Sequence, residues 1–162
     1  MKHVTRTALF VILSALMLMP ALPSAQARLG ETPEQCNASY GKPVSSDTED
    51  LKTTRFARFE KSGLEIITTY SEGKCVQIQF SKLNGGILEN EERAALTEAS
   101  RESAENWLAA DAPANTSFLR SDSKATATYS TKSKTLTLTN EEWIKSERAL
   151  RSKEKIQHLK DF

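Results

Sequence analysis

Three short alternating segments separated by glycine turns constrain the fold of this chain more than any other feature. They cover residues 55–60, 64–70 and 74–82, and the breaks between them are Ser62-Gly63 and Ser71-Glu72-Gly73. Apolar and polar residues that alternate with period two are typical of strands with one buried face, and such short turns join antiparallel neighbours. This part of the chain therefore predicts a three-stranded antiparallel meander.

The loop before the third strand sets the register of this meander. A two-residue loop at Glu72 and Gly73 would place the apolar residues of the second strand beside polar residues of the third. A three-residue loop with Gly73 in the left-handed region pairs Ile66 with Ile78 and gives one apolar face. We therefore expect the three-residue loop, in which Cys75 points away from that face.

A short helix is predicted ahead of the meander. Its start and stop signals are Thr32, Pro33, Gln35, Gly41 and Pro43. They form a capping box with proline at the first helical position, then a glycine stop followed by proline. Cys36 lies inside this two-turn helix, and residues 45–52, which are polar and acidic, are expected to form a loop.

The second half of the chain repeats the order of helix and strands. We expect a helix capped by Asn90 that runs from Glu91 to about Leu108, with Trp107 as its main apolar anchor. A loop or short strand around Phe118 follows. A β-hairpin is then predicted from residues 125–130 and 135–139.

The predicted fold class is α+β, in a single domain over residues 28–139. Thr-Tyr-Ser occurs at 69–71 and again at 128–130, each time before a polar turn and a strand, which is consistent with a tandem pseudo-repeat of halves 30–83 and 88–139. A charged C-terminal helix is expected over 140–162, helical at least to Leu150.

The first 27 residues have the pattern of a secretory signal peptide. Lys2, His3 and Arg6 precede an apolar stretch from Ala8 to Met19, and Ala25-Gln26-Ala27 is a small-residue cleavage site. The stretch is too short to span a bilayer, which takes about 18 apolar residues. We therefore expect cleavage after Ala27, export to a periplasmic or extracellular space, and no transmembrane anchor.

Export determines how the two cysteines are interpreted. Cys36 and Cys75 both belong to the mature chain, and in an oxidising compartment they are most simply one disulfide. A pair of buried free thiols is the alternative. Two thiolates 39 positions apart do not have the spacing of a zinc site, so no metal is expected.

Charge and composition disfavour several classes of function. The leader holds two of the 22 basic residues and none of the 21 acidic ones, so the mature chain carries a formal net charge of −1 and we expect no nucleic-acid partner. Basic residues outnumber acidic ones between Lys145 and Lys160. This predicts a solvated tail or, alternatively, weak contact of the C-terminal helix with an anionic surface.

Few residues of the mature chain are suited to catalysis. His158 is its one histidine, which leaves little from which to build a histidine-assisted nucleophile. Glu98, Glu102 and Glu105 share a helical face with Arg101 among them, and this face is expected to be a solvent face rather than an acid/base site. We therefore expect no enzyme activity and no cofactor.

The residues GETPEQC and SYGKP, followed by FEKSGLEIITTYSEGKCVQIQF, resemble a known layout of helix and strands. The layout is that of the SmpA/OmlA small outer-membrane lipoproteins and, if doubled, of the beta-lactamase-inhibitor-protein fold, and the resemblance covers about residues 30–82. It implies a small secreted helix-plus-meander domain that binds another protein. The chain lacks the lipobox cysteine of the lipoproteins, because Arg28 stands at the cleavage point.

These observations predict a non-catalytic exported protein-interaction module whose partner is another exported or envelope protein. A structural or assembly accessory of the cell envelope is the alternative, and a carboxylate-based hydrolase is a third class. The three classes predict different surfaces. A binding module needs an exposed apolar patch or an open sheet edge, whereas an enzyme needs a pocket with convergent polar groups.

Overall fold

The computed structural model describes residues 28–100, 106–109 and 117–160, which form an α+β fold. The helices are α1 (Pro33–Tyr40), α2 (Asn90–Ala99) and α3 (Glu141–Lys160). The first four strands are β1 (Ser45–Ser46), β2 (Phe56–Lys61), β3 (Leu64–Ser71) and β4 (Lys74–Lys82). The other four are β5 (Trp107–Ala109), β6 (Ser117–Arg120), β7 (Ala125–Ser130) and β8 (Thr135–Asn140).

All eight strands belong to one antiparallel sheet with the order β1-β2-β3-β4-β8-β7-β6-β5. Strands β4 and β8 meet at its centre, where Ile78 pairs with Leu138. The chain thus builds a helix and four strands twice, and the second set is added to the first in reverse order. This is the arrangement that a tandem pseudo-repeat predicts. We call Pro33–Lys82 the first unit and Asn90–Asn140 the second unit.

One face of the sheet forms the core. Alternate residues of its central strands are buried there, and α1 and α2 supply further buried side chains over the same face. The core comprises Leu29, Cys36, Tyr40, Ala57, Phe59, Ile66, Tyr70, Cys75, Ile78, Phe80, Leu88, Leu96, Ala125, Ala127, Tyr129, Leu136 and Leu138. Burial on one face of each strand explains the period of two in the sequence.

The predicted loop between β3 and β4 is wrong. Ser71 pairs with Lys74, which leaves the two-residue turn Glu72-Gly73 with both residues at positive φ. The register shifts between Thr69 and Tyr70, because a β-bulge inserts Val76 into β4. With the turn and the bulge together, Ile66 pairs with Phe80 rather than with Ile78.

This bulge also corrects the predicted direction of Cys75. An extra residue in one strand reverses the alternation beyond it, so Cys75 joins Ile78 on the core face instead of pointing away from it. Cys75 is fully buried. The helix that carries Cys36 lies over the same face, so the two cysteines are on one side of the sheet.

The second unit differs from its prediction at the helix. α2 ends at Ala99, and Trp107 lies in β5, where it pairs with Arg120 of β6. Glu89, not Asn90, is the N-cap residue, and its capping partner is Glu92. The short strand around Phe118 and the hairpin of β7 and β8 are confirmed.

One further boundary differs from the predictions, and the C-terminal helix is confirmed. Ser45 and Ser46 form a short edge strand beside β2, within a segment that was expected to be a loop. α3 begins after Asn140, whose side-chain oxygen accepts a hydrogen bond from the Trp143 backbone, and it extends to Lys160, well beyond Leu150.

Candidate binding face and the buried cysteine pair

The sheet face opposite the core carries ordered cross-strand rows of side chains, and most members on the central strands are uncharged and polar. One row crosses seven strands, and each member pairs with the next: Phe56, Thr69, Gln77, Thr139, Thr126, Leu119 and Leu108. A second row contains Arg58, Ile67, Gln79, Thr137, Thr128 and Ser117. We call this surface the open face, because α1 and α2 lie on the other side.

The centre of the open face holds little charge. Fourteen side chains of β3, β4, β8 and β7 point to it: Glu65, Ile67, Thr69, Ser71, Lys74, Gln77, Gln79, Ser81, Thr126, Thr128, Ser130, Thr135, Thr137 and Thr139. Glu65 and Lys74 are the two charged residues among them, whereas 27% of the whole chain is charged. Depletion of charge is the compositional feature of the buried centre of protein interfaces.

Hydrogen bonds hold the polar side chains at the centre of the open face. The Gln79 side-chain amide donates to the Gln77 side-chain oxygen at 3.0 Å, and the Gln77 amide donates to the Thr139 hydroxyl at 3.4 Å. The second of these bonds joins the two units across β4 and β8. The centre is therefore an ordered polar surface.

Exposed apolar side chains mark the two ends of the long row. Phe56 is 46% exposed at the first unit's end, while Leu119 and Leu108 are 36% and 56% exposed at the other. Six strand spacings of about 4.8 Å separate the ends, a span of about 29 Å. Large exposed side chains around a charge-poor centre are suited to contact with another macromolecule.

Charged residues of the open face lie in its first-unit half, where Lys74 stands beside the β3–β4 turn and the others lie on β2 and β3. Arg58 donates to Glu60 at 2.9 Å and also pairs with Glu65 at 2.6 Å. These side chains are partly exposed, so the pairs are screened by solvent and contribute little to stability. They leave the second-unit half of the face without a charge at its central positions.

A groove with a volume of about 350 Å³ borders the open face where α3 begins. Ser71, Glu72, Lys74 and Val76 line it on the β3–β4 side, and Asn140, Glu142, Trp143 and Ser146 on the helix side. Trp143 is half-buried there. The groove adds a concave margin with an aromatic side chain to the flat polar face.

Cys36 and Cys75 are in contact beneath α1 as free thiols. Both side chains are fully buried, and each sulfur is a hydrogen-bond partner of the other. Cys36 also contacts the Tyr70 hydroxyl, which in turn accepts a hydrogen bond from Thr68 at 2.8 Å. The structure therefore brings together both residues of the predicted disulfide, but the bond between their sulfurs is not formed.

The contact between the two sulfurs separates their acidities. The hydrogen bond from Cys75 lowers the pKa of the Cys36 thiol, because it stabilises the Cys36 thiolate. The same bond, together with burial, raises the pKa of Cys75. Burial raises the pKa of Tyr70 well above its ordinary range as well, so the phenol stays protonated.

The second unit has a tyrosine at the matching point but no sulfur. The Arg93 guanidinium lies 4.3 Å from the centre of the Tyr129 ring, and Arg93 is only 8% exposed. Its NH2 group donates to the Asn90 side chain, and it forms no ion pair with any residue that the structure describes. A cation–π contact therefore replaces the cysteine pair.

The structure describes two of the residues considered for other activities. Glu98 is exposed on α2, while Arg101, Glu102 and Glu105 lie outside the described residues. His158 is in α3. Over 28–100, 106–109 and 117–160, no group of three or more histidine, cysteine or acidic residues could hold a metal ion.

Two further properties concern surfaces. No helix within the described ranges has both the length and the apolar character needed to cross a membrane. α3 contacts β8 near its start, and its basic residues Lys145, Arg148, Arg151, Lys153 and Lys155 are exposed.

The open face was not anticipated from the sequence. Its signal is present in Thr-Leu-Thr-Leu-Thr at 135–139 and Ala-Thr-Ala-Thr at 125–128, where every outward position is threonine. Such alternation predicts strands, but the pairing order that places these threonines beside Gln77 and Gln79 depends on a long-range contact between the units.

Comparisons of the chain with protein-family models, with curated proteins and with solved structures find no match.

Proposed function

We propose that this chain is an exported, non-catalytic binding module whose open face contacts another exported or envelope protein. One observation carries the proposal: the fourteen positions of that face on β3, β4, β8 and β7 hold two charged residues. A surface of this size with 27% charged residues, the fraction in the whole chain, would carry about four. Removing charge lowers the cost of desolvating the face when a partner covers it.

The size and chemistry of the face favour a protein as the partner. A span of about 29 Å between the apolar ends exceeds what a small ligand can bridge. Threonine, serine and glutamine can both donate and accept hydrogen bonds, which suits an uncharged loop or strand of a folded protein. A nucleic acid would need a row of cations, and these positions supply one, Lys74.

Export and the disulfide are parts of the same proposal. The leader pattern supports cleavage after Ala27 and a periplasmic or extracellular location. An oxidising compartment would then allow Cys36 and Cys75, already in contact, to form the disulfide. The resemblance of residues 30–82 to small envelope proteins is further support for a protein partner.

A structural accessory of the cell envelope is a second candidate function. The observation that favours it is α3, which extends to Lys160 and exposes five basic residues between Lys145 and Lys155. An anionic envelope surface would attract them. In this alternative the helix, rather than the open face, makes the main contact.

Site-specific photo-crosslinking in the intact cell tests the proposal. A photoreactive residue at Thr128, which is exposed on the open face, should yield one covalent adduct of defined mass. The matched control places the same group at Glu98, which is exposed on α2. Adducts from Glu98 alone, or equal adducts from both positions, would contradict binding through the open face.

A charge at the centre of the open face provides the companion test. Thr137→Glu should weaken the crosslinked complex at least tenfold, about 1.4 kcal/mol, because the carboxylate would be buried without a partner. Thr131→Glu is the control, since Thr131 is exposed in the turn between β7 and β8. Equal binding by both variants would argue against the open face.

A further inference from the structure

The first residues after the leader are bound to β4 through two backbone hydrogen bonds. The Gly30 backbone donates to the Cys75 carbonyl at 2.7 Å, and the Cys75 backbone donates to the Glu31 carbonyl at 2.7 Å. Leu29 beside them is buried in the core. The start of the mature chain is therefore attached through the backbone of a residue that also carries one of the two thiols.

Cys36 contacts Cys75 from the other end of the same segment. The helix begins at Pro33, and the Cys36 backbone donates to the Thr32 carbonyl at 2.9 Å. The Cys36 sulfur then reaches back to Cys75. A bond between the two sulfurs would close a loop that contains residues 30–36 and both backbone hydrogen bonds to Cys75.

Without a covalent bond, α1 has few means of staying docked. It is eight residues long, and an isolated helix of that length is unstable in water. Its buried side chains are Pro33, Cys36 and Tyr40, and Lys61 donates to the Ser39 carbonyl at its far end. The helix and the segment before it should therefore open more readily than the strands beneath them.

We propose that Cys36 and Cys75 form a redox latch, in which oxidation fixes residues 29–40 on the sheet and reduction leaves them docked but able to open. The latch rests on the export part of the proposed function, because it requires an oxidant. It does not depend on what the open face binds. The N-terminal segment would thus open more readily before export than after it.

The oxidation proceeds by thiol–disulfide exchange with a disulfide oxidant, either oxidised glutathione or an exported dithiol oxidoreductase. The Cys36 thiolate attacks one oxidant sulfur, which forms a mixed disulfide and releases the other sulfur as a thiol. Cys75 loses its proton and attacks the Cys36 sulfur, which releases the second oxidant thiol. Two S–H bonds of the protein are lost, one S–S bond forms, and the oxidant gains two electrons and two protons.

Burial makes the latch slow to reverse once it is closed. Both sulfurs are fully buried, so a reductant reaches them only when α1 lifts from the sheet. The bond itself opposes that motion. Mild reductants should therefore act far more slowly on the folded protein than on the unfolded chain.

Amide hydrogen exchange on the exported chain, isolated with its natural N-terminus, tests the latch. After treatment with oxidised glutathione, the Gly30 and Cys75 amides should exchange at least tenfold more slowly than after reduction with dithiothreitol. The Arg93 and Ser100 amides, which are hydrogen-bonded within and at the end of α2, are internal controls and should not change. Equal rates at Gly30 and Cys75 in the two states would overturn the latch.

Single cysteine variants test the chemistry separately. Cys75→Ser should accumulate glutathione on Cys36, because the second thiol needed to release it is absent. Arg93→Leu alters the matching contact of the second unit and should keep the full redox response. Thiols that remain alkylatable after oxidation of the wild-type chain, or a disulfide between two chains, would contradict the latch. Oxidation in vitro combined with absence of the chain from the exported fraction would instead refute the export proposal alone.

Discussion

The two units place a tyrosine at the same point of the sheet and secure the helix above it by different chemistry. Tyr70 pairs with Cys75 beneath Cys36, whereas Tyr129 pairs with Leu136 beneath Arg93. Cys36 and Arg93 both occupy the fourth position of a helix that begins with a capping box. The shared framework therefore fixes the position of the contact, while the side chains decide its chemistry.

The residues beneath the helices change with that chemistry. Two and four positions before Tyr70 the first unit has Thr68 and Ile66, and the same positions before Tyr129 hold alanines. The smaller alanines leave room for the long Arg93 side chain to lie flat over the ring. Only the first unit's contact can respond to the redox state of the surroundings, so the comparison predicts two units of unequal environmental sensitivity.

Reduction should produce the largest difference between the units. Closing the 36–75 loop as a disulfide should stabilise the protein by a value between about 3 kcal/mol, expected for a 15-residue loop, and about 4.7 kcal/mol, expected for a 100-residue loop. Urea unfolding with and without reductant measures this change. The control is Cys36→Ala combined with Cys75→Ala, which should give the same stability in both conditions. A redox effect that persists in this variant would break the comparison.

The ion pairs of the two units should show the next largest difference in stability. Arg120 is buried and donates two hydrogen bonds to the Asp122 carboxylate, at 2.8 and 2.9 Å. Asp122→Asn should cost about 1.5–3 kcal/mol, since these bonds are charge-assisted and partly shielded from water. Glu60→Gln on the exposed first-unit pair should cost at most about 1 kcal/mol. Equal costs in urea unfolding would contradict the assigned difference in burial.

Asp122 also gives the second unit a defined pH dependence. The hydrogen bonds from Arg120 hold the pKa of this carboxyl below its ordinary value of 3.8. A lowered folded-state pKa means that the stabilisation is present above pH 3.8 and is lost as the pH falls through the folded-state value. Acid unfolding of Asp122→Asn should lack this component, whereas the same loss in wild type and variant would contradict it.

The two tyrosine hydroxyls provide a smaller and closely matched comparison. Tyr129→Phe should cost about 1–3 kcal/mol, because it leaves the buried Leu88 backbone donor without its acceptor. Tyr70→Phe should cost about 0.5–1.5 kcal/mol, since the Thr68 hydroxyl keeps its bond to the Ala57 carbonyl. Thermal unfolding of the two variants under oxidising conditions gives the order, and a greater loss for Tyr70→Phe would reverse the comparison.

The turns between the last two strands of each unit differ in the residue that adopts a positive φ. Gly73 has a φ of +71° with open space around its missing side chain, so Gly73→Ala should cost about 1–2 kcal/mol from backbone conformation alone. Lys134 in the second unit already adopts a φ of 55°, and Lys134→Gly should therefore be neutral or slightly stabilising. Chemical unfolding of both variants checks this, and a destabilised Lys134→Gly would contradict it.

Local chemistry explains what the sequence predicted well. The capping box of α1, the strands β2 to β4 and the β7–β8 hairpin each follow from residues close together in the chain, such as Thr32 with Gln35. The glycine turn at Gly73 was located correctly but given the wrong length. Its two-residue form and the bulge at Val76 restore the apolar face together, and alternation alone cannot distinguish this combination from a longer loop.

Long-range pairing explains what the sequence could not predict. Trp107 follows a helical pattern closely enough to be taken as the anchor of α2, but it lies in β5 because Arg120 of β6 pairs with it. The β4–β8 pairing, which joins Gln77 to Thr139, creates the open face from two segments about 60 residues apart. The proximity of Cys36 to Cys75 was predicted from export and cysteine number, whereas their shared face required the bulge.

The central proposal is an exported module closed by a disulfide. Its most direct test is the intact mass of the exported protein after alkylation without reduction. We predict a chain that begins at Arg28, carries no alkyl group and is two hydrogens lighter than its reduced form. A retained leader, or a mature chain with both Cys36 and Cys75 alkylated, would contradict it.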